Sequence, residues 1–322
     1  MVELGISFRA EADPARLAML AGAVRPYSFN TLSVYDDLGD PPPFRTLAAL
    51  AAACPTARVG PACIAVPRYA SLESVVAEMA SLAQGRPGGV FLGLVSGAWL
   101  DEIGLKRAGV SQMWEALAVC RYLLDGREEG FVGKHYNVKA GWRPSYALPA
   151  SRVPLMLGAW GERMLALGGE LADEVKIGGS ASAEIVTLAR TRVGNDGVGI
   201  VLGAVTVVDE DGDAARRIAR RRAVTYIDVI GANDPTAREQ FGDNLSRIKE
   251  AMAQGDVEAA EAALPDELLR RFAFAGTPEE VIRQAEGVFE AGSARIEFGS
   301  PHGLDEASGI RLLGERVLPY FK

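Results

Sequence analysis

Histidine and cysteine are both scarce in this sequence. Its 322 residues include two histidines, His135 and His302, and three cysteines, Cys54, Cys63 and Cys120. Two histidines so far apart exclude a histidine-rich metal site, which argues against a metal-dependent hydrolase. The cysteines lie far apart without CxxC spacing, so neither a zinc site nor a disulfide framework is indicated. We therefore expect no metal ion and a reducing, cytoplasmic environment.

Excess basic charge and long apolar runs are also lacking. The 34 basic residues are outnumbered by 42 acidic ones, which gives a net charge of −8. Nucleic acids and anionic membranes attract clustered basic charge, so neither is an expected partner. The one basic run, residues 216–222, lies on a predicted helix and is interpreted as a solvated face. No apolar run reaches the roughly 18 residues of a membrane helix, and the first residues enter a strand without a signal-peptide pattern.

A compact unit in residues 154–180 organises the sequence. A short apolar run ends in glycines, a helical pattern follows, and a second apolar run again ends in glycines. Met164, Leu167 and Leu171 fall at helical spacing, whereas Val175 and Ile177 alternate with charged residues as in a strand. This strand, helix, strand order predicts parallel pairing through a right-handed crossover.

The same alternation of strand and helix runs along the chain. Further strands are predicted at residues 2–8, 31–35, 58–66, 89–95, 198–208 and 294–298, and residues 130–138 resemble a small hairpin. Eight such units predict an α/β fold, a (β/α)8 TIM barrel that forms a single domain. A helical region without visible strands occupies residues 212–272, with breaks at 233–235 and 264–265. Because it is too long for one crossover helix, it is interpreted as an insertion or an elaborated crossover over the barrel mouth.

Candidate site residues follow from the barrel, because the carboxyl ends of its strands converge on one site. Asp36 and Asp37 end the second strand, and adjacent residues of an extended segment point to opposite faces, so at most one of them faces the site. The chain has no GxSxG motif, and a serine nucleophile would depend on His302 without a residue to orient it. Residues at the other strand ends complete the set: Ser7, Ala62, Cys63, Ile64, Ser96, Gly158, Ala159, Trp160, Gly161, Gly178 and Gly179.

Glycines precede a helix in residues 158–162. The free N–H groups and the positive dipole end of a helix favour a phosphate, and glycine lets the anion approach the backbone. An ordinary turn between strand and helix explains the same pattern. Trp160 could line a pocket for a ring system or cover the rim of the barrel.

The sequence resembles the luciferase-like monooxygenase superfamily, in particular its coenzyme F420-dependent branch, which is similar to methylenetetrahydromethanopterin reductase. The matching segments occur in order and cover nearly the whole chain: residues 5–8, 29–38, 57–61 with 66–67, 92–94 with 100–105, 133–136, 154–180, 276–280 and 298–303. The resemblance implies a deazaflavin or flavin across the barrel mouth, with its phosphate near residues 158–161 and 178–179. It also implies a bulge in the third strand with a non-prolyl cis peptide at about Cys63–Ile64, and a homodimer.

Two departures from the family pattern concern the substrate. Asp37 replaces the usual histidine after the second strand, and Ser7 stands where the reductase has an acid. The leading hypothesis is an F420-dependent oxidoreductase that transfers hydride to or from a small organic substrate. Asp37 is the first candidate for handling a proton and His302 the second. The alternatives are a monooxygenase that uses reduced FMN on the same fold and a non-catalytic protein that binds a flavin or deazaflavin.

Overall fold

The computed structural model describes residues 2–322, apart from the side chains of Asp228, Val229 and Ala232. Its strands are β1 (Glu3–Arg9), β2 (Thr31–Tyr35), β3 (Arg58–Pro61), β4 (Ile64–Ala65), β5 (Leu92–Val95), β6 (Phe131–Val132), β7 (Asn137–Val138), β8 (Leu155–Gly158), β9 (Glu174–Gly178), β10 (Gly199–Val208), β11 (Ala273–Gly276) and β12 (Arg295–His302). Its helices are α1 (Pro14–Val24), α2 (Phe44–Ala53), α3 (Leu72–Ala83), α4 (Val110–Leu124), α5 (Glu162–Leu171), α6 (Ala183–Val193), α7 (Gly212–Ile230), α8 (Pro235–Ala253), α9 (Val257–Ala262), α10 (Asp266–Phe272), α11 (Pro278–Glu290) and α12 (Glu306–Leu312).

Parallel strands form the barrel in the order β3, β2, β1, β12, β10, β9, β8, β5, β4. β3 and β4 are two pieces of one predicted strand, and they pair with β2 and β5 respectively. A single bridge between Val59 and Val90 closes the ring beside them. The predicted TIM barrel is confirmed, and its strands turn their carboxyl ends toward one mouth because all of these pairings are parallel.

Helix boundaries follow local capping signals. Asp13 caps α1 ahead of Pro14, and Ser182 caps α6. Thr277 and Glu280 form the predicted capping box at the start of α11. The predicted hairpin is confirmed as the antiparallel pair β6 and β7. None of the described helices has the length and apolar character needed to span a membrane.

The region between β10 and β11 contains α7, α8, α9 and α10. These helices share a hydrophobic cluster with β10 and β11, in which Ile248, Leu268 and Phe272 are buried beside Val207. The predicted breaks near residues 233 and 264 are present, and a further one separates α8 from α9. β11, which pairs with the second half of β10, was not predicted, because its four residues Ala-Phe-Ala-Gly continue the helical pattern of α10.

Charged side chains fill the interior of the barrel, where branched apolar residues are the usual filling. Arg295 is 1% exposed and donates to both carboxylate oxygens of Glu174 and to Oε1 of Glu297. Arg58 contributes a further cation, since it donates to Glu174 and to Glu3. Each of these charges in the barrel interior therefore has an opposite charge within hydrogen-bonding distance, which offsets the cost of burial.

Candidate functional site

A large cavity of about 740 Å³ opens at the carboxyl ends of the barrel strands. We call it the main cavity. Residues from β1, β2, β5, β8, β9, β10 and β12 line it, and α7 covers one side through Tyr226 and Ile230. Its place agrees with the usual position of active sites in this fold.

The main cavity brings together most of the residues that the sequence analysis selected. Those that line it are Ser7, Asp37, Ala62, Cys63, Ser96, Gly158, Ala159, Trp160, Gly161, Gly178 and Gly179. Ile64 does not line it, because its side chain is fully buried in the hydrophobic core behind β4. His302 does not line it either. Its ring is fully buried against Phe8, its Nε2 atom lies 3.0 Å from the carbonyl oxygen of Ser7, and Nδ1 lies 3.3 Å from Glu306.

The bulge between β3 and β4 forms part of the cavity wall. A cis peptide joins Ala62 to Cys63, one residue earlier than the expected position at about Cys63–Ile64. Cys63 packs closely against two glycines. A Cβ atom added to Gly158 would lie 3.2 Å from the Sγ atom of Cys63, and one added to Gly93 would lie only 2.9 Å from it. Burial raises the pKa of this thiol to about 12, so it is neutral at physiological pH.

Lys176 and Glu297 form the floor of the main cavity. The Nζ atom of Lys176 donates to Oε2 of Glu297 at 2.6 Å and to the carbonyl oxygen of Ala62 at 3.2 Å. Oε2 of Glu297 also accepts hydrogen bonds from Ser7 and Ser33. Burial opposes ionisation, but Lys176, Arg295 and these hydroxyls outweigh it and lower the pKa of Glu297 to about 2. Glu297 is therefore a permanent anion and cannot serve as a proton donor at neutral pH.

One end of the main cavity, which we call the glycine end, is built from the start of α5. No side chain among the described residues caps this helix, whose first N–H groups have no partner within the helix. A Cβ atom at Gly161 would have open space around it, and Trp160 donates to the carbonyl oxygen of Gly178 at 2.9 Å. The exposed residue Arg163 lies in the first turn of α5, and the exposed residue Arg107 also lines the main cavity. Positive charge and free donors make this the place for an anion.

The opposite end contains Asp37. Its Oδ2 atom accepts a hydrogen bond of 3.1 Å from the hydroxyl of Tyr226, and burial raises the pKa of its carboxyl group. The neighbouring Asp36 points away, toward β4, where it accepts from the N–H of Ala65 and pairs with Arg68 at 2.5 Å. The two carboxylates thus have different surroundings, as the alternation along an extended segment predicts.

A second cavity of about 400 Å³ adjoins the Asp37 end. Asp37, Tyr226 and Trp99 line both cavities and stand between them. The second cavity is lined by side chains of both charges, among them Arg9, Glu11, Arg16, Glu102, Arg222 and Glu306. Within the described part of the chain, no group of three or more His, Cys, Asp or Glu residues could hold a metal ion.

Several residues of the cavity were not selected from the sequence, although some carried a signal. Lys176 and Glu297 are each a charge between two apolar residues of a strand, which indicates an inward position in a polar barrel interior. Tyr226 lies 18 residues beyond the end of β10, and Trp99 lies four residues beyond the end of β5. Their part in the cavity depends on how α7 and the loop after β5 fold back over the mouth.

Known proteins resemble this chain in sequence and in fold. The family model described as luciferase-like monooxygenase matches residues 3–295. The 5,10-methylenetetrahydromethanopterin reductase of Archaeoglobus fulgidus is 25% identical over 345 aligned positions, which cover all of both chains.

Two solved structures share the fold. The coenzyme F420-dependent tetrahydromethanopterin reductase from Methanopyrus kandleri superposes with a TM-score of 0.88 at 21% identity, over 100% of this chain and 99% of that one. An F420-dependent secondary alcohol dehydrogenase in complex with an F420-acetone adduct gives a TM-score of 0.74 at 18% identity, over 99% of both chains.

Proposed function

Because this chain belongs to the luciferase-like monooxygenase family, we propose that it is a coenzyme F420-dependent oxidoreductase acting on a small organic substrate. The observation that carries the proposal is the division of the main cavity into two chemically different ends. The glycine end offers backbone donors and guanidinium groups, whereas the Asp37 end offers one carboxyl group among aromatic side chains. An elongated cofactor with an anionic tail and a reactive ring fits this arrangement, with the ring beside Asp37.

The residues present fit such a cofactor. Open space at Gly161 and Gly178 leaves room for a phosphate beside the start of α5, where the helix dipole favours negative charge. Ala62, Cys63 and Gly158 offer a wall with no charged side chain of its own for a planar ring to pack against. The deazaflavin supplies hydride chemistry when bound, and the protein supplies binding, orientation and a dry environment.

The protein's own part in the reaction is the handling of a proton. Among the carboxylates that line the main cavity, Asp36 is paired with Arg68, Glu162 lies at the glycine end, and Glu297 stays ionised between Lys176 and Arg295. Asp37 is therefore the one suited to exchange a proton. Its raised pKa brings the carboxyl group nearer to the pH at which an acid or base works well. We assign Asp37 the exchange of a proton with a heteroatom of the substrate, and we assign no such part to the buried His302.

A fluorescence titration of the purified protein with F420 and with FMN tests the proposal. We expect micromolar or tighter binding of F420 and much weaker binding of FMN. Preferential binding of FMN would instead favour a monooxygenase that uses the reduced flavin. If F420 binds but no compound in a broad panel of alcohols, carbonyls and imines oxidises or reduces it, a non-catalytic binding protein becomes the better account.

Assembly and location form part of the same proposal. We propose that two copies of the chain form a homodimer in the cytoplasm, as the resemblance to this family implies. Sedimentation equilibrium at micromolar protein concentration measures the assembly directly. A mass equal to that of one chain, 34.2 kDa, would exclude the dimer at that concentration.

A further inference from the structure

The contact between Asp37 and Tyr226 joins two parts of the chain that are 189 residues apart. Asp37 follows β2 at the rim of the barrel, whereas Tyr226 lies in α7, between β10 and β11. Both side chains line the main cavity and the second cavity, so their hydrogen bond lies at the boundary between the two. A substrate beside the ring of a bound cofactor has to approach this boundary.

Tyr226 is held in place by more than its hydroxyl group. Its ring packs edge to face against Trp99, with centroids 6.1 Å apart and an angle of 70° between the planes. Trp99 has a φ of +54°, which bulky residues rarely adopt. Such an outlier persists only where the surroundings hold it, and outliers of this kind concentrate at functional sites. The aromatic pair therefore fixes the position from which the hydroxyl group reaches Asp37.

We propose that Tyr226 is a positioning residue for Asp37, whose hydroxyl orients the carboxyl group toward the substrate and stabilises its charged form. The inference rests on the proposed function. When a substrate carbon accepts hydride from the reduced cofactor, the substrate heteroatom takes the proton of the Asp37 carboxyl group. This leaves a carboxylate that accepts a hydrogen bond from Tyr226. In the opposite direction the carboxylate takes that proton back.

The other charged groups near Asp37 act more weakly than burial and this hydrogen bond. Burial raises the pKa of Asp37 most, and the Tyr226 hydroxyl is the first of the groups that lower it. A hydrogen bond donated to the ionised form favours that form, so its loss makes protonation easier. The remaining groups are Asp40, which raises the pKa of Asp37, and Arg9 and Arg68, which lower it. The Asp36 carboxylate and the neutral hydroxyl of Tyr35 also lie nearby.

Tyr226→Phe tests the inference, since it keeps the ring on Trp99 and removes only the hydroxyl. Infrared difference spectra of the cofactor-free protein are recorded as a function of pH. The carboxyl band of Asp37 is identified as the one that is absent in Asp37→Asn, and its titration midpoint is measured. We expect the midpoint of this band in Tyr226→Phe to rise by about one pH unit, because a hydrogen bond to a charged group is worth about a tenfold change in proton affinity. The pH limb of kcat should move with it while the KM for substrate changes less than twofold.

Tyr146→Phe is the matched control, because the Tyr146 hydroxyl donates to Glu73 at the same distance of 3.1 Å but outside both cavities. This variant should leave unchanged both the titration midpoint of the Asp37 carboxyl band and the pH dependence of kcat. An Asp37 midpoint that is equal in wild type and Tyr226→Phe overturns the inference. The proposed function fails in a different way. If F420 does not bind in the fluorescence titration, the proposed function is wrong, whatever the midpoint of the Asp37 band in Tyr226→Phe.

Discussion

The ammonium group of Lys176 lies 2.6 Å from the carboxylate of Glu297 in the floor of the main cavity. Lys176 is 7% exposed and Glu297 is fully buried, so water screens neither charge well. The pair continues downward through Arg295 to Glu174, and every charge in the series has a partner. The barrel interior is thus held together by ion pairs, and the loss of one member leaves an uncompensated charge in a dry place.

Glu297→Gln is expected to lower the free energy of unfolding by about 3–5 kcal/mol at pH 7, the usual cost of removing one partner of a buried pair. The pKa of Glu297 is lowered to about 2, so its stabilising effect is complete above the pKa of an unfolded glutamate and is lost as the pH falls toward 2. Urea unfolding between pH 7 and pH 2.5 should show a decline below pH 4.5 that is weaker in the variant. Glu315→Gln, which breaks the exposed pair with Arg311, is the control and should cost less than about 1 kcal/mol.

Gly161→Asp should weaken cofactor binding strongly while leaving the fold intact. The backbone at Gly161, with φ −74° and ψ 149°, suits any residue, and a Cβ atom there meets open space. An aspartate at this position caps α5, which raises the free energy of unfolding by about a few tenths of a kcal/mol relative to glycine. Its carboxylate would occupy the place of the phosphate, so F420 affinity measured by fluorescence should fall at least 30-fold.

Gly161→Asn distinguishes the effect of the negative charge from that of side-chain size. Asparagine has nearly the same size as aspartate and caps a helix equally well, but it carries no charge. It should keep most of the stabilisation and lose less affinity than Gly161→Asp. Equal affinity of wild type and Gly161→Asp would show that the phosphate binds elsewhere.

Arg107 and Arg163 are expected to attract the anionic tail of the cofactor. Replacing both with alanine should weaken F420 binding about 10-fold in 20 mM salt, and the difference should shrink at 0.5 M salt, because exposed charges are screened. Arg192, which is half-buried in the last turn of α6 and does not line the main cavity, serves as the control. If the affinity of the double variant matches that of Arg192→Ala at low salt, these arginines have no part in binding.

Asp37→Asn should stabilise the protein at neutral pH. The pKa of Asp37 is raised in the folded state, so the folded protein takes up its proton more readily than the unfolded chain. The ionised group therefore opposes folding at pH 7, and this penalty disappears as the pH falls below the pKa of an unfolded aspartate. We expect a rise in Tm of about 2 °C at pH 7 and none at pH 3, by calorimetry. A variant less stable at pH 7 would show that Asp37 contributes to the fold as an anion.

Periodicity and glycine placement were sufficient to predict the barrel. The alternation in residues 154–180 gave β8, α5 and β9 because strand and helix leave different repeats of apolar residues. The same reasoning placed Gly158, Gly161 and Asp37 at the mouth, since parallel strands bring their carboxyl ends together. Each of these inferences needs only local sequence and a general rule of topology.

The Asp37 end of the site could be predicted only in part. Tyr226 belongs to a long amphipathic helix, and nothing in its local sequence indicates which barrel residue its hydroxyl meets. His302 was selected because it follows the last strand, but β12 extends to residue 302 and carries the ring into the core. Strand ends are the least reliable part of such a prediction, and an error of a few residues moves a side chain from the cavity into the interior.

The pairing of β10 separates the helices α7 to α10 from the strands that carry the glycine end. The first half of β10 lies between β9 and β12, and the second half pairs with β11. Helices α7 to α10 therefore leave the barrel and rejoin it on the same strand, without entering the pairings of β8 and β9 at the glycine end. Tyr226 belongs to this helical segment, residues 212–272, whereas the glycine end lies outside it. Substitutions confined to residues 212–272 are therefore expected to reshape the Asp37 end of the main cavity while leaving the backbone of the glycine end in place.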